Sequence, residues 1–491
     1  MGKMDLTRRE YLRLLGAAAG GLAVARSGWS RPSGSVAANP SAATSGVIKW
    51  WDQFQPLAPL ERKTFAAWEK SHRKTTVDYT VYDPNHQGQA LQVAYNSKQM
   101  PDVFTLAGIN VPPAQLHKDG WFAPLQFDHA SLDRLPKGTL INGVTGFDNK
   151  LYSLPLYSPR QYSTLTWYNK ELLHKAGHGS PPRSWDEFRK AAKAVQKQGG
   201  GSVYGWICDV GFTDRLQVHV EDLAQAAGAP GEGNVGTNGA IDPRTGSYVY
   251  DSDPYVNAVE FLVSLQKDGV LFPGSQTLDA RTARVRWGAG SACFFWDGSW
   301  NIGVVAQSMK TFADQVGVGS IPTPGGGAPV LYGSVGGTFW LSGSSHVQAE
   351  ASNLLETLTK PQYFVGIAEG MDQPPLDLGA VHKAKVHPTY KQAIALFQSQ
   401  VKLAPNPAAR NPAVLDAVAA MPNVQPPLGA VVQGILSGQV TNVRQALRSF
   451  NDKVTAARET GLKNAAAAGS KVSVDDFIFH NWKPGQDYSG T

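Results

Sequence analysis

Between Val47 and Leu106 the chain alternates strand-like and helix-like runs five times. Val47-Ile48-Lys49-Trp50-Trp51 is a short β run, and Leu57 to His72 carries Leu60, Phe65 and Trp68 at roughly helical spacing. Thr76 to Val81 alternates polar with apolar residues, Pro84 and Asn85 break it, and Gln87 to Ser97 reads as a helix. Pro101 to Leu106 is the third strand. Strands separated by whole helices have no tight hairpin to reverse them. This order therefore points to a mostly parallel sheet with helices on its faces. A chain of 491 residues also exceeds what one hydrophobic core holds, so two domains are expected.

The same grammar recurs downstream. Ser184-Trp185-Asp186-Glu187 has the form of a capping box, in which Ser184 accepts from the N3 amide and Glu187 reaches back. Trp185, Phe188, Ala192 and Val195 then share one helical face. Asp253-Pro254 opens another helix, with Val259, Leu262 and Val263 inward. Val443, Leu447, Phe450 and Val454 form a later apolar stripe, and Ala465 to Gly469 reads as a loop or a frayed helix end.

Residues 1–45 read as an address and a linker. Thr7-Arg8-Arg9-Glu10-Tyr11-Leu12 is a twin-arginine pattern, and Leu14 to Ala25 is apolar but too short to span a bilayer. Cleavage sites are offered by Ser35-Val36-Ala37 and by Ala23-Val24-Ala25. The segment resembles a Tat export signal. No cysteine stands near its exit, so the lipoprotein route is closed. The expected location is the periplasm or the extracellular face of the cytoplasmic membrane. The leader has six basic residues against Asp5 and Glu10, so only +2 of the chain's net +6 belongs to the body. A nucleic-acid partner thereby loses its main support. Cys208 and Cys293, both in apolar aromatic strings, read as two buried free thiols.

Most catalytic signatures are missing. There is no phosphate loop, no HExxH and no GxSxG elbow. Gly231, Gly233 and Gly236 match a dinucleotide fingerprint but follow Ala229-Pro230 rather than a strand, so a Gly-rich loop is the better reading. The 11 histidines are scattered without a helical HxxxH pair. No metal or cofactor is expected. Asp297 with Asp372, or Asp209 with Asp297, would be the carboxylate pair of a glycoside hydrolase if they approach closely enough.

Several segments, in order, resemble family 1 extracellular solute-binding proteins, the receptors of ABC sugar importers. They are Pro101 to Phe104 with Asp119 to Leu125, then Lys150 to Pro155 with Trp167 to Lys170. Next come Gly177 with Pro181 to Phe188, Gly290 to Cys293 with Gly298 to Trp300, and Val316 to Gly319 with Gly336 and Gly337. The resemblance implies a two-lobed α/β periplasmic-binding-protein fold of type II, each lobe a mostly parallel sheet flanked by helices, with a hinge. It implies a first lobe of residues 46–156 plus 320–377, and a second of 157–319 plus 378–491. It implies a non-catalytic, monomeric receptor for a small solute, a mono- or oligosaccharide, whose other partners are the transmembrane permease subunits.

A sugar presents hydroxyls at its edge and C–H groups on its faces, so its site needs aromatic planes and planar polar groups. Loops after strand carboxyl ends face the crevice of an open α/β sheet. That rule selects Trp51, Asp52 and Gln53, then Asn85, then Asn110. Farther along it selects Trp206 and Asp209, and Trp296, Asp297 and Trp300. Gly337 is added as a point of close backbone approach. Trp50 and Trp51 point to opposite sheet faces, so one is core and the other is free for the cleft. Asp52 and Asp297 fit either a cap or a ligand contact, and the tryptophans fit either core or cleft.

Overall fold

The computed structural model describes residues 46–109, 111–231 and 239–488. The leader lies outside the described residues, as do Asn110, Gly233 and Gly236. The five-fold alternation folds as β1 (Gly46–Asp52), α1 (Ala58–Ser71), β2 (Thr75–Val81), α2 (Pro84–Asn96) and β3 (Val103–Phe104). β1 pairs in parallel with both β2 and β3. Pro84 does not merely break the strand, because it is the first residue of α2. Asp83 caps that helix by accepting the Asn85 N–H at 3.0 Å, and proline's fixed φ and missing N–H suit the first turn.

After α3 (Pro113–Lys118), the strands β4 (Phe122–Ala123) and β5 (Ser153–Leu154) extend this sheet. A second sheet uses β6 (Leu165–Asn169), β7 (Tyr204–Ile207), β8 (Ala292–Asp297) and β9 (Val316–Gly319). The chain then returns to the first sheet as β10 (Phe339–Ser342), giving the order β2-β1-β3-β10-β4 with β5 beside β10. The second sheet runs β9-β6-β8-β7. Each sheet is mostly parallel with one strand reversed: β10 in the first and β6 in the second. β7 and β8 are parallel, while β6, the first strand after the chain leaves the first sheet, runs against β8 and β9.

Each sheet has its own core. In the first, Trp50 is fully buried between Phe65 and Phe339, at ring distances of 4.8 and 4.6 Å. In the second, α4 (Trp185–Gln198) places Phe188 4.8 Å from Phe294. The capping box starts α4 as expected. Ser184 Oγ accepts from Glu187 N–H at 3.1 Å, and Glu187 accepts from Ser184 N–H at 3.2 Å. α5 (Thr213–Ala226) and α6 (Asp253–Lys267) cover the sheet together, with Val259 and Leu262 buried. Burying each such side chain contributes roughly 1.5–3 kcal/mol. Two crossing segments are bonded to each other. Ser158 N–H donates to Pro374 O at 2.9 Å, and Leu376 N–H donates to Leu156 O at 2.7 Å.

The remaining helices frame the site. α7 (Ala280–Gly288) and α8 (Trp300–Ser308) flank β8 in sequence. α9 (Val414–Ala419) packs on both α3 and α10 (Val443–Ala467). α10 runs through Ala465, which is buried, so the alanine-rich stretch continues the helix rather than forming a loop. Cys208 and Cys293 are unbridged and buried. No helix among the described residues is long and apolar enough to cross a membrane.

Candidate functional site

A cavity of about 680 Å³ receives side chains from the first sheet's loops, from the crossing segments, from α5 and from the C-terminal helices. Its size is that of a pocket for a small organic ligand. On the first-sheet side, β3 leads into Gly108 and Ile109, and Gln115 follows on α3. The Gly108 turn has φ +70°, a left-handed conformation that glycine adopts freely. It presses so closely on α2 that a Cβ on Gly88 would lie 2.0 Å from the Gly108 carbonyl oxygen.

Opposite, α5 turns a polar stripe to the cavity. Gln217, Glu221 and Gln225 recur every four residues, with Asp222 beside them. Gln217 Nε2 donates to Glu221 Oε1 at 3.1 Å, and Gln225 Oε1 accepts the Tyr332 N–H at 2.8 Å. Asp222 Oδ2 accepts from Ser163 N–H at 3.0 Å and from Thr164 Oγ1 at 2.6 Å. Burial pushes the Asp222 carboxyl up to about 6 against these hydrogen bonds.

Trp300 supplies an aromatic wall. Arg215 stacks over its ring at 4.8 Å and is anchored 2.8 Å from Asp297 Oδ1. Asp297 is fully buried and also pairs with Arg284, so two guanidinium groups neutralise it. From α10 come Phe450, Val454 and the buried Arg458, which lies over Tyr248 at 4.7 Å. Arg458 Nε and the buried Tyr157 hydroxyl have no protein partner among the described residues, and both residues line the cavity.

Of the expected ligand contacts, Trp300 and Gly337 line this cavity. A Cβ on Gly337 would lie 2.4 Å from Ser153 Oγ, so the close approach there is to protein. Trp206 and Trp296 do not reach the cavity. Their rings lie 4.7 Å apart inside the second core, because both point to the helix-covered face of the sheet. Asp209 is buried with them. Burial pushes its carboxyl up, but His219 and Arg215 outweigh this and leave it below the ordinary range. Asp297 acts behind Trp300 rather than on a ligand. Trp51 packs on Tyr82 at 4.8 Å, outside the cavity lining. Gln53 accepts from Thr105 Oγ1, and Asn85 sits in the first turn of α2.

Asp52 is a buried acceptor for three donors: Trp50 Nε1 and Phe54 N–H, both at 3.0 Å, and Tyr79 OH at 3.1 Å. Burial raises it to about 6. It belongs to a carboxylate group near the crossing segments. Burial and the Asp52 charge push Glu61 up, and burial carries Asp372 to about 7. Neither proposed hydrolase pair lines the cavity.

The residues that sequence reasoning missed are Tyr157, the α5 stripe and Arg458. The stripe was open to reading, since Gln217, Glu221 and Gln225 repeat at helical spacing on one face. Nothing local to Arg458 marks it, because its place depends on how α10 docks.

Residues 51–363 match the family described as bacterial extracellular solute-binding protein. The chain belongs to that family, and its fold is the two-lobed one of periplasmic solute-binding proteins. A "Probable ABC transporter-binding protein" of Deinococcus radiodurans is 23% identical over 220 residues, 43% of this chain. The chain matches about half of that curated relative, 48% of its length. Maltose-bound MalE3 of T. maritima has the same fold, with TM-score 0.64 and 20% identity over 84% of this chain and 99% of its own. A solute-binding protein of Thermotoga lettingae, bound with alpha-D-tagatose, gives 0.64 and 19% over 85% and 100%. The GacH receptor of Streptomyces glaucescens, solved unliganded and with acarbose, gives 0.60 and 17% over 84% and 99%.

Proposed function

We propose that this chain is the capture subunit of an ABC importer. It closes over a mono- or oligosaccharide between its lobes and presents the closed form to membrane permease subunits. The observation that carries this reading is the 680 Å³ cavity, which combines the Trp300 ring with a stripe of amide and carboxyl groups on α5. The ligands bound in the structural relatives, maltose, tagatose and acarbose, agree with a carbohydrate. The lobes are assigned to residues 46–156 plus 320–377 and to 157–319 plus 378–491. Strand membership of the two sheets supports that division, whereas the packing of α9 on α3 ties part of the last segment to the first lobe. The protein works as an exported monomer and leaves its solute chemically unchanged. Against the hydrolase alternative, Asp209 and Asp297 are buried away from the cavity, and Asp297 is held by two arginines.

Thermal-shift screening against mono- and oligosaccharides, polyols and amino acids tests this. A saturable shift and a tryptophan-fluorescence change are expected with one sugar group, with the sugar recovered intact. Product accumulating over hours would replace this reading with the hydrolase, and silence across all carbohydrates would remove it.

A further inference from the structure

Behind Asp222 the second core holds another polar group, separate from the cavity lining. Cys208 and Asp209 follow β7, and His219 projects from α5. Their exposures are 1%, 1% and 0%. Cys208 Sγ lies 3.7 Å and His219 Nε2 3.5 Å from Asp209 Oδ1, and one donor atom from each residue falls within 4.8 Å of the others. Donors bound to one tetrahedral ion at ~2.0–2.3 Å stand ~3.3–3.7 Å apart. Both spacings to Asp209 thus already fall at or within that range, and the third is at most 4.8 Å.

The tautomer follows from the hydrogen bonds. Thr164 Oγ1 is 2.6 Å from Asp222 Oδ2 and 2.9 Å from His219 Nδ1. A hydroxyl has one proton, and the Asp222 carboxylate can only accept. Thr164 therefore donates to Asp222 and accepts from His219 Nδ1–H. In the neutral ring Nε2 then presents a lone pair toward the Asp209 carboxylate, an arrangement that a bound metal ion satisfies as a proton on Nε2 would. His219 Nε2 and Asp209 Oδ2 have no hydrogen-bond partner among the described residues. Nearby on the sheet, Trp296 pairs in register with Thr166. Trp296 Nε1, Trp206 Nε1 and Thr166 Oγ1 are likewise buried without partners.

We propose that Cys208, Asp209 and His219 bind one divalent metal ion of the zinc type, with water as fourth ligand. A mixed sulfur, nitrogen and oxygen set suits such a borderline-soft ion. A thiolate and a carboxylate also cancel its two charges, so no net charge is buried. The ion pins the end of β7 to α5 and so fixes the helix that turns Asp222 to the cavity.

The test uses the full chain, stripped with chelator and then given one equivalent of Zn²⁺ or Co²⁺. One ion per chain should survive desalting, and Zn²⁺ should raise the melting temperature by ~2 °C or more. Co²⁺ should give tetrahedral absorption with a thiolate charge-transfer band. Cys208→Ser should lose that band and weaken retention by more than ~100-fold, while Cys293→Ala keeps both. If Cys208→Ser does not fold, the wild-type and Cys293→Ala spectra decide. No retained ion, an octahedral spectrum without the thiolate band, or a band lost with Cys293 would overturn the site. The first result would leave a proton on His219 as the only cation.

Discussion

Arg281 of α7 donates from Nη2 to the Tyr82 carbonyl at 2.6 Å, while its Nε lies 3.0 Å from the Asp83 carboxylate. One side chain thus joins the second sheet's flank to the end of β2 and to the cap of α2. Gln307 makes a similar link, donating to Pro56 O at 2.9 Å. A part-buried, charge-assisted contact of this kind contributes about 1 kcal/mol to whichever lobe arrangement makes it. Arg281→Ala should therefore change sugar affinity about 5-fold by calorimetry, downward where the contact belongs to the closed form and upward where it belongs to the open one, with the radius of gyration of the liganded protein shifting accordingly. An unchanged affinity would show that Arg281 is not part of closure.

Trp300 lines the cavity with its ring held under Arg215, which is paired with Asp297. Trp300→Ala removes that ring, and the affinity for the sugar found by screening should fall at least ~10-fold. Trp185 stacks on Phe261 at 4.9 Å and does not line the cavity, so Trp185→Phe should leave the affinity within about 2-fold. Equal losses from the two would take Trp300 out of the site.

The contact between Gly88 and Gly108 predicts a loss at a distance from any ligand. Gly88→Ala forces two backbones apart where neither can give way, and it should cost about 1–3 kcal/mol in chemical denaturation. Because Gly108 and Ile109 line the cavity, binding should weaken in the folded variant as well.

Asp372 gives a pH dependence. Its folded carboxyl is raised from 3.8 to about 7 by burial. Between these values the folded chain keeps a proton that the unfolded chain releases, so this group's contribution to stability falls as pH rises through that window. Asp372→Asn keeps an oxygen for the Gln373 N–H, bonded at 2.7 Å, and cannot ionise. The variant should match wild type near pH 4 and exceed it at pH 8 by on the order of 2–4 kcal/mol, at roughly 1.4 kcal/mol per pKa unit. A variant less stable than wild type at pH 8 would contradict this.

Much of the scaffold can be read from the chain, because its signals are local. The spacing of Ile48 and Trp50 on one face of β1, and the reciprocal bonds of Ser184 and Glu187, need no tertiary information. The site is less legible. Trp206 and Trp296 stand near strand ends and satisfy the crevice rule, yet strand alternation turns their side chains to the helix-covered face. Asp52 and Asp297 look equally available for a ligand, and only the packed structure reveals the three donors on one and the two arginines on the other. Tyr157 and Arg458 come from a crossing segment and a distant helix, which only tertiary packing brings to one cavity.

α10 carries Phe450, Val454 and Arg458 into the cavity from beyond residues 51–363, the stretch that matches the family description. On the proposed site, substitutions on that one face of a late helix should alter which solute is accepted while both sheets keep their strands.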